Sequence, residues 1–332
     1  MIRRKLVVLV VLVVAVTIFV LATGGPAAPK PNPPGTFSFA ALGDAPYYLW
    51  EDLQYSILLK ELQANDLAVV IQVGDIFWRP CSDKLYRRSL DWYNGLPHPV
   101  VYTPGDNEWS DCWEPGSGGY APLERLRRLR EIFFADPFTS LGGNALALES
   151  QASDEQFGTY IENARWQHGD LVFATVHLVG GWNALTKFER RTTDDDEASV
   201  ERTAAAVAWV RETFADADAK DAGAVVLAFH ANPNLEKPED DRYRRTYEPF
   251  VEVLEEEVER FGKPVLVIHG DTHEFTVDHP LTRRTTGQRL DNLTRLQVPG
   301  SPLVGWVRVT VAPEADEPFT FESNVVPRWK YW

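Results

Sequence analysis

IHGDTHEF, residues 268–275, sets one aspartate and two histidines directly behind a short apolar run. Working outward from it, the same event recurs along the chain. AFHANP at 228–233, TVHL at 175–178, TPGDNEW at 103–109, VGDIFW at 73–78 and ALGDAPYY at 41–48 each follow an apolar segment. The predicted strands are 37–42, 67–73, 100–102, 171–176, 225–229 and 265–268. Amphipathic stretches at 51–64, 84–93, 123–134, 198–214 and 249–261 are predicted helices between them. Strands alternating with helices predict an α/β fold. In the last helix the acid run Glu255, Glu256 and Glu257 reads as a solvated face.

Six apolar runs thus pass into Asp or His within a few residues. In open α/β sheets ligands bind beyond the carboxyl ends of the strands, so these side chains are expected to converge in one crevice. A glycine before each aspartate permits a tight turn that aims the carboxylate inward. One Gly-Asp step alone would read as a turn or a helix N-cap, and one strand-end histidine as a core residue. Their recurrence at one topological position reads instead as a metal site, and the mix of carboxylates with imidazoles suits a pair of divalent or trivalent ions.

The ordered blocks resemble the calcineurin-like metallophosphoesterase superfamily, which includes purple acid phosphatases. The resemblance runs from Phe37 to about Pro280 and rests on Gly43-Asp44, Gly74-Asp75, Gly105-Asp106-Asn107-Glu108, His230 and Gly270-Asp271-Thr272-His273. It implies a four-layer α/β/β/α sandwich, with 303–311 and 319–325 as strands completing the second sheet. By position, Asp44, Asp75 and His273 would hold one metal, and Asp75 would bridge to a second held also by Asp106, His230 and Asp271. Manganese, iron or zinc would serve. Pro46 stands where the family pattern has a histidine and cannot ligate. Asp106 replaces an asparagine ligand, Asp271 replaces a histidine, and Asn107 occupies the position of a catalytic histidine. His177 and His269 are additional candidates to compensate. Tyr47, Tyr48 and Trp78 are expected to be ordinary aromatic packing. Cys81 and Cys112 lie just beyond the second and third blocks, so their loops should share one sheet edge and a disulfide between them is expected; two buried thiols are the alternative.

The implied activity is hydrolysis of a phosphate ester, with Asp75 and Asn107 at the reacting centre and a phosphorylated small molecule or protein as substrate. Aspartates alone would also suit structural calcium, but calcium takes oxygen ligands and leaves the histidines unexplained. A second reading is a degenerate member of the fold that binds metal or ligand without turnover, motivated by Pro46 and Asn107. A formal net charge of −15 argues against a nucleic-acid polymer as partner.

Arg3, Arg4 and Lys5 precede the apolar run 6–22, whose only polar member is Thr17. As a helix it would span roughly 26 Å, a little short of a hydrocarbon core. Residues 1–22 are therefore expected to be a signal peptide or an uncleaved anchor, with the basic tip cytoplasmic and the rest exported. The protein would then be membrane-anchored and facing outward, or secreted or periplasmic after cleavage. Residues 23–36 read as a Pro-rich tether, and 37–332 as one phosphoesterase domain. Removal of residues 1–35 is expected to leave a cooperatively melting protein, because that stretch has no periodic apolar face. Aggregation without a cooperative thermal transition would overturn the boundary.

Overall fold

The computed structural model describes residues 31–328, so the apolar run 6–22 and residues 23–30 of the tether lie outside the described residues. Four strands open the chain: β1 (Phe37–Leu42), β2 (Val70–Gln72), β3 (Pro99–Tyr102) and the short β4 (Leu141–Gly142). A second sheet follows, from β5 (Glu149–Ser150), β6 (Ala164–His168), β7 (Leu171–Thr175), β8 (Ala224–Ala228) and β9 (Val265–His269) to β10 (Thr276–Asp278) and β11 (Leu293–Gln297). The chain then returns to the first sheet with β12 (Gly305–Val311) and β13 (Phe319–Val325). The sheet orders are β13-β12-β1-β2-β3-β4 and β10-β11-β9-β8-β7-β6-β5.

The strands read as unbroken apolar runs because both faces are covered. Alternation along each strand still sorts the side chains. Phe39, Ala41, Ile71 and Val101 meet Phe173, Val226, Ala228 and Leu266 between the two sheets. The intervening residues Ala40, Leu42, Val70 and Val100 face α1 (Leu49–Gln63), α2 (Asp83–Asn94) and α3 (Pro122–Phe133). On the far side, Val172, Val225, Leu227 and Val267 face α5 (Thr193–Ala219) and α6 (Glu248–Phe261). Helices, sheet, sheet and helices thus stack in that order. No helix among the described residues is long and apolar enough to cross a membrane.

β1, β2 and β3 run parallel in one sheet, and β7, β8, β9 and β11 in the other. Their carboxyl ends therefore lie along two neighbouring edges, which is where the Asp and His blocks begin. Between β7 and α5, the segment α4 (Gly180–Ala184) is a single turn with left-handed backbone from Gly181 onward.

Several expectations need correction. Strands β12 and β13 do not complete the second sheet but extend the first, β12 pairing antiparallel with β1 from Phe37↔Val311. Val307, Val309 and Val311 of β12 alternate into the inter-sheet core, so its register is set by that burial. Of the acid run 255–257 only Glu256 is solvated. Glu255 and Glu257 are buried, the first paired with Arg284 at 3.1 Å and the second with Arg260 at 2.5 Å. α5 is longer than the predicted 198–214 because Thr192 and Asp195 form a capping box before it, with Asp194, Asp195 and Asp196 at its positive end. Strand β11 is masked in the sequence because Arg295 interrupts its apolar run; that side chain is buried against Asp278 and Glu236 at 2.6 and 2.8 Å.

Cys81 and Cys112 form a disulfide, with Cα atoms 5.7 Å apart and the cysteines 31 positions apart in sequence. It ties the loop after β2 to the loop after β3. Closing that length of chain restricts the unfolded state, which in the loop-entropy model is worth about 3–4 kcal/mol. Replacing both cysteines with serine should lower the free energy of unfolding by about that amount in urea titration. An unchanged midpoint and slope would refute the estimate.

Candidate metal centre

The turns behind the parallel strands pack backbone against backbone. A Cβ on Gly74 would lie 2.4 Å from Gly105 N, and one on Gly105 would lie 2.2 Å from Asp75 Oδ1. Any side chain at Gly105 would displace the carboxylate it supports. Asp44, Asp75, Asp271 and His273 all adopt positive φ, between 53 and 74°. Non-glycine residues rarely do so, and the cost is tolerated where surrounding structure over-determines the conformation.

These turns gather two groups of ligand-type atoms. Asp44, Asp75 and His230 form one; Asp106, His230 and Asp271 form the other, each with its atoms within 4.8 Å of one another. His230 is the shared member. Its Nδ1 donates to the Val73 carbonyl at 2.9 Å, so the nitrogen left facing the carboxylates is Nε2. That atom lies 3.4 Å from Asp75 Oδ1, 3.6 Å from Asp106 Oδ1 and 3.9 Å from Asp271 Oδ1, buried and without a hydrogen bond. His273 is oriented the same way: Nδ1 donates to the Ser301 carbonyl at 2.6 Å and Nε2 is 3.7 Å from Asp44. An imidazole fixed through one nitrogen by a carbonyl offers the other to a metal. Both the orphaned Nε2 and the crowd of carboxylates fit bound cations.

Neighbours orient the carboxylates in turn. Asp75 Oδ2 accepts from Tyr47 OH at 2.5 Å and from Asn107 Nδ2 at 2.7 Å, and its Oδ1 accepts from Asn107 N at 3.1 Å. Asp44 accepts from the Asp271 amide, and Asp271 from the Asn232 amide at 3.0 Å. Without cations the site is electrostatically costly. Burial pushes Asp75 up to about 7, with Glu108 adding to it, and burial with Asp75 does the same to Asp106. Asp44 is also raised, chiefly by burial. Burial opposes a charged His230, but Asp75 and Asp106 outweigh it and hold the imidazole well above its usual value.

Residues 39–275 match the family model for calcineurin-like phosphoesterases. The chain belongs to that family. Among curated proteins nothing matches it. Of solved structures, that of PhoD is similar with a TM-score of 0.51 at 13% identity, over 92% of this chain and 72% of that one. TT1561 of Thermus thermophilus is 10% identical, over 88% of this chain and all of that one, with a TM-score of 0.45. At these identities the PhoD likeness speaks for the fold alone.

Within this phosphoesterase framework, neither additional histidine joins the two groups. His177 is buried, its Nδ1 bonded to Glu162, which is itself clamped by Arg130 at 2.7 and 2.9 Å. Burial pushes His177 down to about 4, so it is a neutral structural partner. His269 donates from Nδ1 to the Gly270 carbonyl and stacks on Phe229. Because Phe229 belongs to the core on the α6 side, that ring points away from the centre. Tyr47 corrects the packing expectation: its phenol reaches the ligands from the residue beside Pro46, 3.3 Å from His273 Nε2. Tyr48 and Trp78 do pack: Tyr48 stacks on Trp50 and meets Trp78 edge-on.

Of three supporting carboxylates, Glu108 stands in the third sequence block, whereas Glu51 and Asp111 carried no distinct signal. Glu108 accepts from the Ile76 amide at 2.6 Å and joins the second block to the third. Glu51 joins Tyr47 N to Ser301 Oγ at 2.7 and 2.8 Å. Asp111 is pushed up to about 8 by burial and then by Asp106. Only the spacing of Glu51 behind Tyr47 and of Asp111 behind Asp106 could have flagged those two.

The raised groups have a thermodynamic consequence. In chelated protein, folded Asp75 and Asp106 keep protons that the unfolded chain has released above about pH 4, so stability falls as pH rises from there towards about 7. His230, raised on folding, contributes most below about pH 6.5 and loses that contribution above it. Both act in one direction. Chelated protein should melt at higher temperature near pH ~5 than near pH ~7.5, and manganese should shrink the difference by supplying the missing positive charge. Identical melting temperatures with chelator present would contradict the buried-carboxylate account.

Proposed function

We propose that the chain is an exported, metal-dependent phosphoesterase that hydrolyses a phosphate ester with two ions. The observation that carries this reading is His230 Nε2: buried, unpartnered, and facing three carboxylates while Nδ1 is committed to a carbonyl. Family membership over residues 39–275 supports it. Asp44, Asp75 and His273 would hold one ion, and Asp106, His230 and Asp271 the other, with Asp75 between them. Two divalent or trivalent ions would supply Lewis-acid charge to the phosphate oxygens and make water nucleophilic near neutral pH.

The chain's own residues set the geometry around that chemistry. Asp75 is oriented by Tyr47 and by both nitrogens of Asn107, so its two oxygens keep fixed directions. Burial, then Asp75 and Asp44, raise the Tyr47 phenol well above its usual value, so it stays a hydrogen-bond donor. Asn107 can donate to a phosphate oxygen but offers no proton to a leaving group. Esters whose alcohol leaves readily as an anion should therefore react best.

The tether enters beside Asn32, which bonds Asp66 and Arg308 at the end of the first sheet away from the metal centre. Recovery of the full chain only in the cytosolic fraction would dispose of export. The second reading, binding without turnover, is favoured by Pro46 and Asn107 at positions where the family pattern has histidines.

Asp75→Asn should abolish hydrolysis of a generic phosphoester, by at least about a thousandfold, while leaving the fold intact by circular dichroism, since an amide lacks the negative charge between two cations. Asn107→Ala should be milder. Chelation should abolish turnover and manganese restore it. Near-normal activity in Asp75→Asn, or turnover that survives chelation, would refute the two-ion reading. Stoichiometric metal binding without hydrolysis of any ester would favour the binding reading.

A further inference from the structure

Gly181, Trp182, Asn183 and Ala184 follow one another with φ of 58, 62, 58 and 60°. Glycine visits this region routinely and asparagine at times, but as single residues. Tryptophan and alanine are disfavoured there, so the turn must be held by its surroundings. A buried frame holds it. The Asn183 carbonyl accepts from Ser199 Oγ at 2.8 Å and Arg202 Nη2 at 2.7 Å, and its amide donates to Tyr247 OH at 3.0 Å. Its side chain bonds Arg202 and Thr203, and Tyr247 OH donates on to Val179 O at 2.9 Å.

The turn abuts the metal centre. A Cβ on Gly180 would lie 2.2 Å from Asp106 Oδ2 and 2.6 Å from Asp271 Oδ1. Outward, it delivers one large side chain. Trp182 is 38% exposed and stacks on Tyr243, with ring centres 5.2 Å apart and planes at 19°. The Arg242 guanidinium lies 4.4 Å over Tyr243. Tyr243 is tied to the same centre, since its carbonyl accepts from Asn234 Nδ2 at 3.5 Å. Asn234 N in turn bonds Asn232 Oδ1, and Asn232 N donates to Asp271.

We propose that the Trp182–Tyr243 platform is the subsite for the organic half of the phosphoester, and that this half carries a planar aromatic ring. The proposal rests on the phosphoesterase reading above for the anchoring of the phosphate. Backbone strain that the fold over-determines marks functional elements, and here its one outward product is an indole at the rim. Two rings and an arginine are too small a surface for a protein partner, which needs on the order of 800 Å² per side. They match one stacked ring. The chemistry agrees: Asn107 supplies no proton, and an aryl alcohol leaves as an anion far more readily than an alkyl one.

Affinity for phosphonates reads the platform without turnover. Manganese-loaded full chain should bind phenylphosphonate about three- to tenfold more tightly than methylphosphonate by titration calorimetry. Trp182→Ala should erase that ratio while leaving methylphosphonate binding unchanged, and Trp182→Phe should keep most of it. Tyr243→Ala lies outside the strained turn and should reduce the ratio with the fold undisturbed. Equal binding of the two phosphonates by wild type, or an intact ratio in both alanine variants, would overturn the subsite and leave the phosphoesterase reading standing. An intact ring preference in a protein that hydrolyses no ester would support the subsite and count against hydrolysis alone.

Discussion

Four carboxylates, Asp44, Asp75, Asp106 and Asp271, crowd around the single imidazole of His230 in a buried site, and the neighbouring structure keeps them there. Left to Coulomb repulsion and desolvation they would separate or take up protons, and burial does drive three of them upward in pKa. They stay because each sits on a turn whose backbone is locked against another turn, as Gly74 is against Gly105. Cations would relieve the repulsion that packing now resists. A site of this kind is costly without its ligands, which is the general condition of preorganised metal binding.

Outside the ligand cluster, polar groups act as cross-links between loops. Glu108 spans the second and third blocks, Glu51 the first block and the loop after β11, and the disulfide spans the flanks of the second and third. None contributes a ligand, yet each limits how far one Gly-Asp turn can drift from the next. A carboxylate shifted by an ångström can no longer share an ion with its neighbour.

The pair His177–Glu162 shows how local environment separates residues of like type. Both His177 and His230 are buried behind strand ends. Burial works to raise Glu162, but Arg130 and His177 overcome it and hold the carboxyl below its usual range. His177 nonetheless stays neutral, because one carboxylate already neutralised by Arg130 cannot offset its desolvation. His230 faces several carboxylates with no arginine among its contacts, and its charge is favoured instead.

Local sequence determined the alternation of strands and helices, the turns at Asp44, Asp75 and Asp106, and the candidates His230, Asp271 and His273. These were legible because apolar periodicity, glycine and turn chemistry act over a few residues. The tertiary structure alone decided which sheet receives β12 and β13, since β1 and its neighbours had to leave an edge open for them. It also decided that Tyr47 reaches Asp75 whereas Tyr48 packs outside, and that His269 turns towards Phe229. Such choices depend on which face of a strand or loop meets which neighbour, and a chain read in one dimension carries the residue but not the direction in which it points. The left-handed turn at 181–184 is the extreme case. Gly181 and Asn183 tolerate that backbone singly, but four consecutive residues hold it because Arg202 of α5 and Tyr247, just before α6, bond Asn183.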